Sequence, residues 1–120
     1  MTVDLGTTGP RIEQFSGPGY RGCRLSGEID FTSSGAVQSA LLAMMLPGGG
    51  AMIVDLSRIT FLDSSGLGVL VQAYRTATQR DTRLLVVVSE PVRKLLRLTG
   101  LDTVLETHDE LSAAAAAVSG

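Results

Sequence analysis

The segment Asp63-Ser64-Ser65-Gly66-Leu67-Gly68 sets two hydroxyls directly behind a carboxylate, where a helical apolar period begins. An aspartate or serine at such a place can cap a helix by accepting its first free backbone N–H groups. Those N–H groups and the positive end of the helix dipole also attract anions, so a serine there is suited to carrying a phosphate. Two readings stand together. The segment is a plain helix start, with Asp63 or Ser64 as the cap, or it presents a hydroxyl for modification. The small residues Ser65, Gly66 and Gly68 bear on the choice, because glycine inside a helix costs roughly 0.5–1 kcal/mol relative to alanine. Small side chains there leave the backbone approachable by another molecule.

Other residues capable of chemistry lack the company they need. Gly17-Pro18-Gly19-Tyr20-Arg21-Gly22 spells the glycine pattern of dinucleotide-binding loops, but that loop must follow a strand and open a helix. Here a strand-like segment follows, so the glycines read as a hairpin turn. The single histidine, His108, stands beside the start of the last helix. A hydrolytic serine needs a base within hydrogen-bond reach and a third group to orient it, and nothing in the sequence links His108 to Ser64. The carboxylate pairs Glu28/Asp30 and Asp109/Glu110 come without further ligand types at metal spacing. The lone Cys23 permits no internal disulfide and reads as a packing residue in a strand. No enzymatic activity, cofactor or metal is expected.

The elements that must position Ser64 follow from the periodicities. The chain has 120 residues, 44% hydrophobic and 18% charged, which fits one globular domain. Residues 1–10 show no period and read as a flexible leader to a domain spanning 11–120. Arg11–Ser16 and Tyr20–Ser26 are candidate strands around the Gly17-Pro18-Gly19 turn. Thr32–Leu46 carries apolar residues at helical spacing, with Thr32 or Ser33 as its cap and Pro47-Gly48-Gly49-Gly50 as its stop. Ala51–Asp55 and Leu84–Val88 read as buried strands. Between them a helix starts near Ser65, with the apolar stripe Leu67, Leu70, Val71, Tyr74 and Ala77. Glu90–Leu98, with Pro91 in its first turn and Gly100 past its end, predicts a short helix. Val104–Thr107 predicts a strand and Asp109–Val118 a closing helix. The alternation gives an α/β fold: a mostly parallel, mixed sheet of about five strands with an antiparallel N-terminal edge, and about four helices.

Charge and hydropathy narrow the partners. The net charge is −2 and the basic residues are scattered singly, without the clustered positive face that nucleic acid requires. No apolar stretch approaches the ~18 residues that cross a bilayer, and the N-terminus lacks the pattern of a signal peptide. A cytoplasmic protein without membrane or nucleic-acid partners is expected.

The stretch from Val54 to Leu70, Val-Asp-Leu-Ser-Arg-Ile-Thr-Phe-Leu-Asp-Ser-Ser-Gly-Leu-Gly-Val-Leu, resembles the signature of the STAS domains that antagonise anti-sigma factors in bacteria. Gly27-Glu28-Ile29-Asp30 resembles that family's second landmark, at the end of an early strand. The resemblance implies a single STAS-type domain and a phospho-acceptor at Ser64. Glu28, Asp30, Asp63, Ser65, Gly66 and Leu67 would then be its partner-binding surroundings. It implies as partner an anti-sigma factor that is a GHKL-type serine kinase, bound by the unphosphorylated chain so that the sigma factor is freed. A PP2C-type phosphatase would reset the switch. The chain itself would be a monomer or weak dimer. Two other readings remain: a non-phosphorylated STAS scaffold subunit of a transporter or stress-sensing complex, and a small ligand or nucleotide sensor using the helix N-terminus near Ser64.

Overall fold

A computed structural model describes residues 2–4, 9–45 and 50–119. Six strands form one sheet in chain order: β1 (Thr2–Asp4), β2 (Arg11–Gly17), β3 (Tyr20–Ile29), β4 (Ala51–Leu62), β5 (Arg83–Val88) and β6 (Glu106–His108). β1, β2 and β3 pair antiparallel, and β3 through β6 pair parallel. The helices are α1 (Ser34–Met44), α2 (Ser64–Gln79), α3 (Glu90–Thr99) and α4 (Leu111–Ser119).

The side-chain period of two along β4 and β5 sorts the helices into two layers. Met52, Val54 and Leu56 of β4, with Leu84, Val86 and Val88 of β5, pack with Val37, Leu41, Val69, Leu70, Val92 and Leu96 from α1, α2 and α3. The intervening Ile53, Leu85 and Val87 face the other way, against Ala114 and Leu111 of α4 and against Phe15 and Tyr20. A strand buried on both faces must be apolar at every position, as Arg83–Val88 is from its second residue on. Each such Val, Leu or Ile withdrawn from water contributes about 1.5–3 kcal/mol. Cys23 is fully buried in the larger layer, and burial, helped by the nearby Asp55 carboxylate, pushes its thiol up to about 12. It packs as a neutral thiol.

The glycine-rich loop is a hairpin turn: Gly17 pairs with Tyr20, and Gly19 takes a φ of 82° that favours glycine. Several expected boundaries move. Thr2–Asp4 is not part of a loose leader but an edge strand paired with Arg11–Glu13, which raises the strand count from about five to six. Backbone pairing at an edge needs no side-chain period, so no local pattern marks this strand. β4 runs to Leu62, beyond the expected Asp55. Its pairing with β5 ends at Leu56, while its pairing with β3 continues to Ile29–Leu62 through two register shifts. Paired on one side only, Ser57, Arg58, Thr60 and Phe61 stay exposed and read as loop. The expected strand at Val104–Thr107 slides to Glu106–His108, because a 3-10 turn at Leu101–Thr103 carries Leu105 N–H onto the Leu101 carbonyl at 2.9 Å. The helix stop expected at Pro47-Gly48-Gly49 lies outside the described residues.

Candidate functional site

Parallel strands deliver their C-terminal ends to one edge of a sheet, and the loops leaving them meet there. Asp30 leaves β3 and Asp63 leaves β4 at that edge, joined by a hydrogen bond from the Asp63 N–H to the Ile29 carbonyl at 3.2 Å. Asp63 is the N-cap of α2. Its Oδ1 accepts from Ser65 N–H at 2.9 Å, Gly66 N–H at 3.2 Å and the Ser65 hydroxyl at 2.5 Å. Its Oδ2 accepts the Phe31 N–H at 3.1 Å. One carboxylate therefore closes the helix start and ties down the β3–α1 turn. The Ser65 hydroxyl and the three N–H groups hold Asp63 below the usual carboxylate range, against some desolvation.

Asp30 organises its own turn. Its Oδ1 accepts from the Thr32 hydroxyl at 2.5 Å and the Thr32 N–H at 2.9 Å, and its carbonyl accepts Ser33 N–H and Ser34 N–H. The Thr32 bonds, led by the hydroxyl, lower its pKa, while the nearby Asp63 charge pulls it slightly back up. Ser33 is the N-cap of α1, but its hydroxyl turns to the Asp30 carbonyl and N–H rather than to the helix.

Ser64 is the first residue of α2, exposed, with no side-chain hydrogen bond to any described residue. Asp63, not Ser64, takes the capping role, and the Ser64 hydroxyl is left free at the positive end of a 16-residue helix. Leu67 is partly buried against the core. Gly66 is buried, and a Cβ on it would fall 2.3 Å from Leu62 Cδ1 and 3.3 Å from Ile29 Cγ2. Its smallness lets α2 approach the ends of β3 and β4; it does not open the backbone to a partner. Gly68 is exposed with nothing within 4 Å of where its Cβ would lie, so it alone of the two glycines fits that role. Glu28 is exposed on β3 opposite Phe61 and outside the hydrogen-bonded cluster.

The apolar stripe of α2 is also rotated from expectation. The buried positions are Gly66, Val69, Leu70, Ala73 and Ala77, whereas Leu67 and Val71 are half-buried and Tyr74 is exposed. Small residues face the core where helix and sheet approach closely, and larger ones are displaced to the rim. Two aromatic residues at the site were missed in sequence: Phe31, 78% exposed, and Phe61, 49% exposed. Asp30-Phe31-Thr32-Ser33 carries the signal for Phe31, an apolar residue inside an Asx-type turn.

The remaining candidates sit elsewhere. Arg83 grips Glu106 at 2.7 Å and lowers its pKa against some desolvation, with a smaller share from His108, whose Nε2 lies 3.0 Å from Glu106 Oε2. Among the described residues no three His, Cys, Asp or Glu side chains gather as a metal site, and no helix is long and apolar enough to cross a membrane.

Known proteins resemble this chain in sequence and in fold. The chain is 32% identical over 83 residues to the anti-sigma-B factor antagonist of Listeria monocytogenes, covering 68% of this chain and 73% of that protein. It is 33% identical over 88 residues to the anti-sigma F factor antagonist of Paenibacillus polymyxa, covering 72% and 75%. The crystal structure of an anti-sigma factor antagonist from Mycobacterium paratuberculosis matches with a TM-score of 0.82 at 28% identity, over 96% of this chain and 98% of that one. Residues 17–114 match the STAS domain. That span holds β3 through β6 and every residue of the Ser64 cluster, and the chain belongs to the STAS-domain family of anti-sigma factor antagonists.

Proposed function

We propose that this chain is an anti-sigma factor antagonist switched by phosphorylation of Ser64. The unphosphorylated chain binds an anti-sigma factor of the GHKL serine-kinase type in the bacterial cytoplasm, so that the sigma factor is released. The observation that carries the reading is the Ser64 hydroxyl: exposed, without a described hydrogen-bond partner, and preceded by an aspartate that already caps the helix. In the transfer step the Ser64 oxygen attacks the γ-phosphorus of ATP held by the kinase. ADP leaves, and the hydroxyl proton passes to a base on the kinase. A PP2C-type phosphatase restores the hydroxyl by hydrolysis, releasing inorganic phosphate. The chain is substrate and ligand in this cycle, not an enzyme.

The local structure accommodates the modified state. Phosphorylation adds about −1.5 to −2 charges, at a helix start whose dipole favours anions, so the fold persists. The docked complex does not accommodate it. Beside Asp63 and Asp30, and stripped of water at an interface, the phosphate meets like charge, a penalty that corresponds to roughly 100-fold or more in affinity. Release comes from repulsion rather than unfolding.

The test pairs the purified chain with each purified anti-sigma kinase of its source organism. One phosphate should appear by intact mass, mapped to Ser64. Ser64→Ala should take none and still bind, whereas Ser64→Asp should bind roughly 100-fold more weakly. Phosphate on Ser64→Ala, together with undiminished binding by Ser64→Asp, would overturn the reading.

A further inference from the structure

Phe31 is the most exposed large apolar side chain among the described residues, at 78%. It stands between the two carboxylates of the Ser64 cluster, one residue after Asp30 and hydrogen-bonded through its N–H to Asp63. An exposed aromatic on a loose loop would be unremarkable, since single apolar side chains on a surface are common. This one is not on a loose loop. On its N-terminal side the Asp30 carbonyl accepts Ser33 N–H at 3.1 Å and Ser34 N–H at 2.9 Å. On its C-terminal side Thr32 is held twice by Asp30 Oδ1. The backbone is fixed before any partner arrives while the ring remains in water.

We infer that Phe31 is the anchor by which this chain recognises its anti-sigma factor, inserting into an apolar pocket of that protein. The inference rests on the proposed function for the identity of the partner and adds the residue that selects it. Anchors of this kind are aromatic, sit at the centre of the contact, and bind well when little conformational freedom remains to be lost. The partner follows from position: Phe31 lies next to Asp30 and is bonded through its N–H to Asp63, the residue before Ser64, so a protein that docks on Ser64 meets the ring. Phe31 also shares Asp63 with the helix start that carries Ser64, which places the anchor and the phosphorylation point on one carboxylate.

The experiment measures binding kinetics of wild type, Phe31→Ala, Phe31→Leu and Leu98→Ala against the purified anti-sigma kinase that phosphorylates the wild-type chain. Leu98 is the control. It is 76% exposed but near the C-terminal end of α3, which runs back from the edge of the sheet holding Ser64. Phe31→Ala should bind about 30-fold or more weakly, mostly through faster dissociation. Phe31→Leu should fall between it and the wild type, and Leu98→Ala should match the wild type. Melting temperatures should be the same for the wild type and both Phe31 variants. If the wild type binds and Phe31→Ala binds within about threefold of it, or Leu98→Ala loses as much, the anchor is wrong while the switch stands. A lowered melting temperature in both Phe31 variants would make the residue structural and also overturn the inference. If no kinase binds or phosphorylates the wild type, the proposed function fails and takes the anchor with it.

Discussion

Gly66 and Gly68 lie two residues apart in the first turns of α2, and alanine should act on them with opposite sign. A methyl at Gly66 would come within 2.3 Å of Leu62 Cδ1 and 2.9 Å of Leu62 Cγ, with Ile29 Cγ2 at 3.3 Å. Leu62 and Ile29 are 7% and 2% exposed, so neither has open solvent to move into. Overpacking of this kind costs about 1–3 kcal/mol. Alanine's better helix propensity and its less disordered unfolded chain offset about 0.5–1 kcal/mol of that. Gly66→Ala should therefore destabilise by about 0.5–2 kcal/mol. Gly68→Ala meets nothing within 4 Å and keeps only the favourable part, a gain of about 0.5–1 kcal/mol. The two variants should differ by about 1–3 kcal/mol, or roughly 4–12 °C in melting temperature for a domain near this size. Urea unfolding followed by far-ultraviolet circular dichroism reads the difference directly, with unchanged slopes showing that only the native state is affected. If Gly66→Ala proves as stable as Gly68→Ala, the close approach of α2 to β3 and β4 is not what Gly66 serves.

Two further outcomes follow from the buried charge and from the site carboxylates. Asp55 is 1% exposed, and its Oδ2 lies 3.0 Å from Arg24 Nε. Arg24→Met should cost about 3 kcal/mol by leaving that carboxylate buried with only the Ser57 N–H as partner. Adding Asp55→Asn should recover much of the loss in urea denaturation, and wild-type stability in Arg24→Met alone would show the pair to be inert. Asp30 and Asp63 have folded-state pKa values depressed below the unfolded carboxylate value of about 4. Their contribution is fully present above that value and disappears as pH falls through the lower folded values. The urea midpoint should thus fall from about pH 4 downward, with Glu106 adding to the same limb. Asp63→Asn, which keeps an acceptor for the cap, should flatten the fall. An acid limb of unchanged steepness in that variant would mean that Asp63 carries no stabilising charge.

Much of the site was legible because it is local. The cap of α2, the hairpin at Gly17–Tyr20 and the caps of α3 depend on residues within about four positions of one another, where side-chain type directly selects backbone geometry. Asp63 and Ser64 were found, but sequence left open which one caps; the bonds to Ser65 and Gly66 assign the cap to Asp63 and free Ser64. The reading of Gly66 missed its role because close packing against Leu62 and Ile29 has no signature of its own. Of the stripe Leu67, Leu70, Val71, Tyr74 and Ala77 that periodicity predicts for α2, Leu70 and Ala77 are buried, while Gly66, Val69 and Ala73 take the core-facing places of Leu67, Val71 and Tyr74.

The sequence by itself determined the four helices and the central strands, though neither the edge strand β1 nor the full length of β4, together with the alternation that makes the central strands parallel and a cap followed by a serine. Those follow from periods of two and 3.6 residues and from the hydrogen-bonding habits of single side chains. Tertiary structure alone decided what meets across the chain: Phe31 N–H on Asp63, 32 residues away, Arg24 on Asp55, 31 away, and α2 seated on the ends of β3 and β4 through Gly66. Such contacts form only once the parallel pairing of β3 with β4 has brought distant segments to one edge, and no local period encodes that pairing.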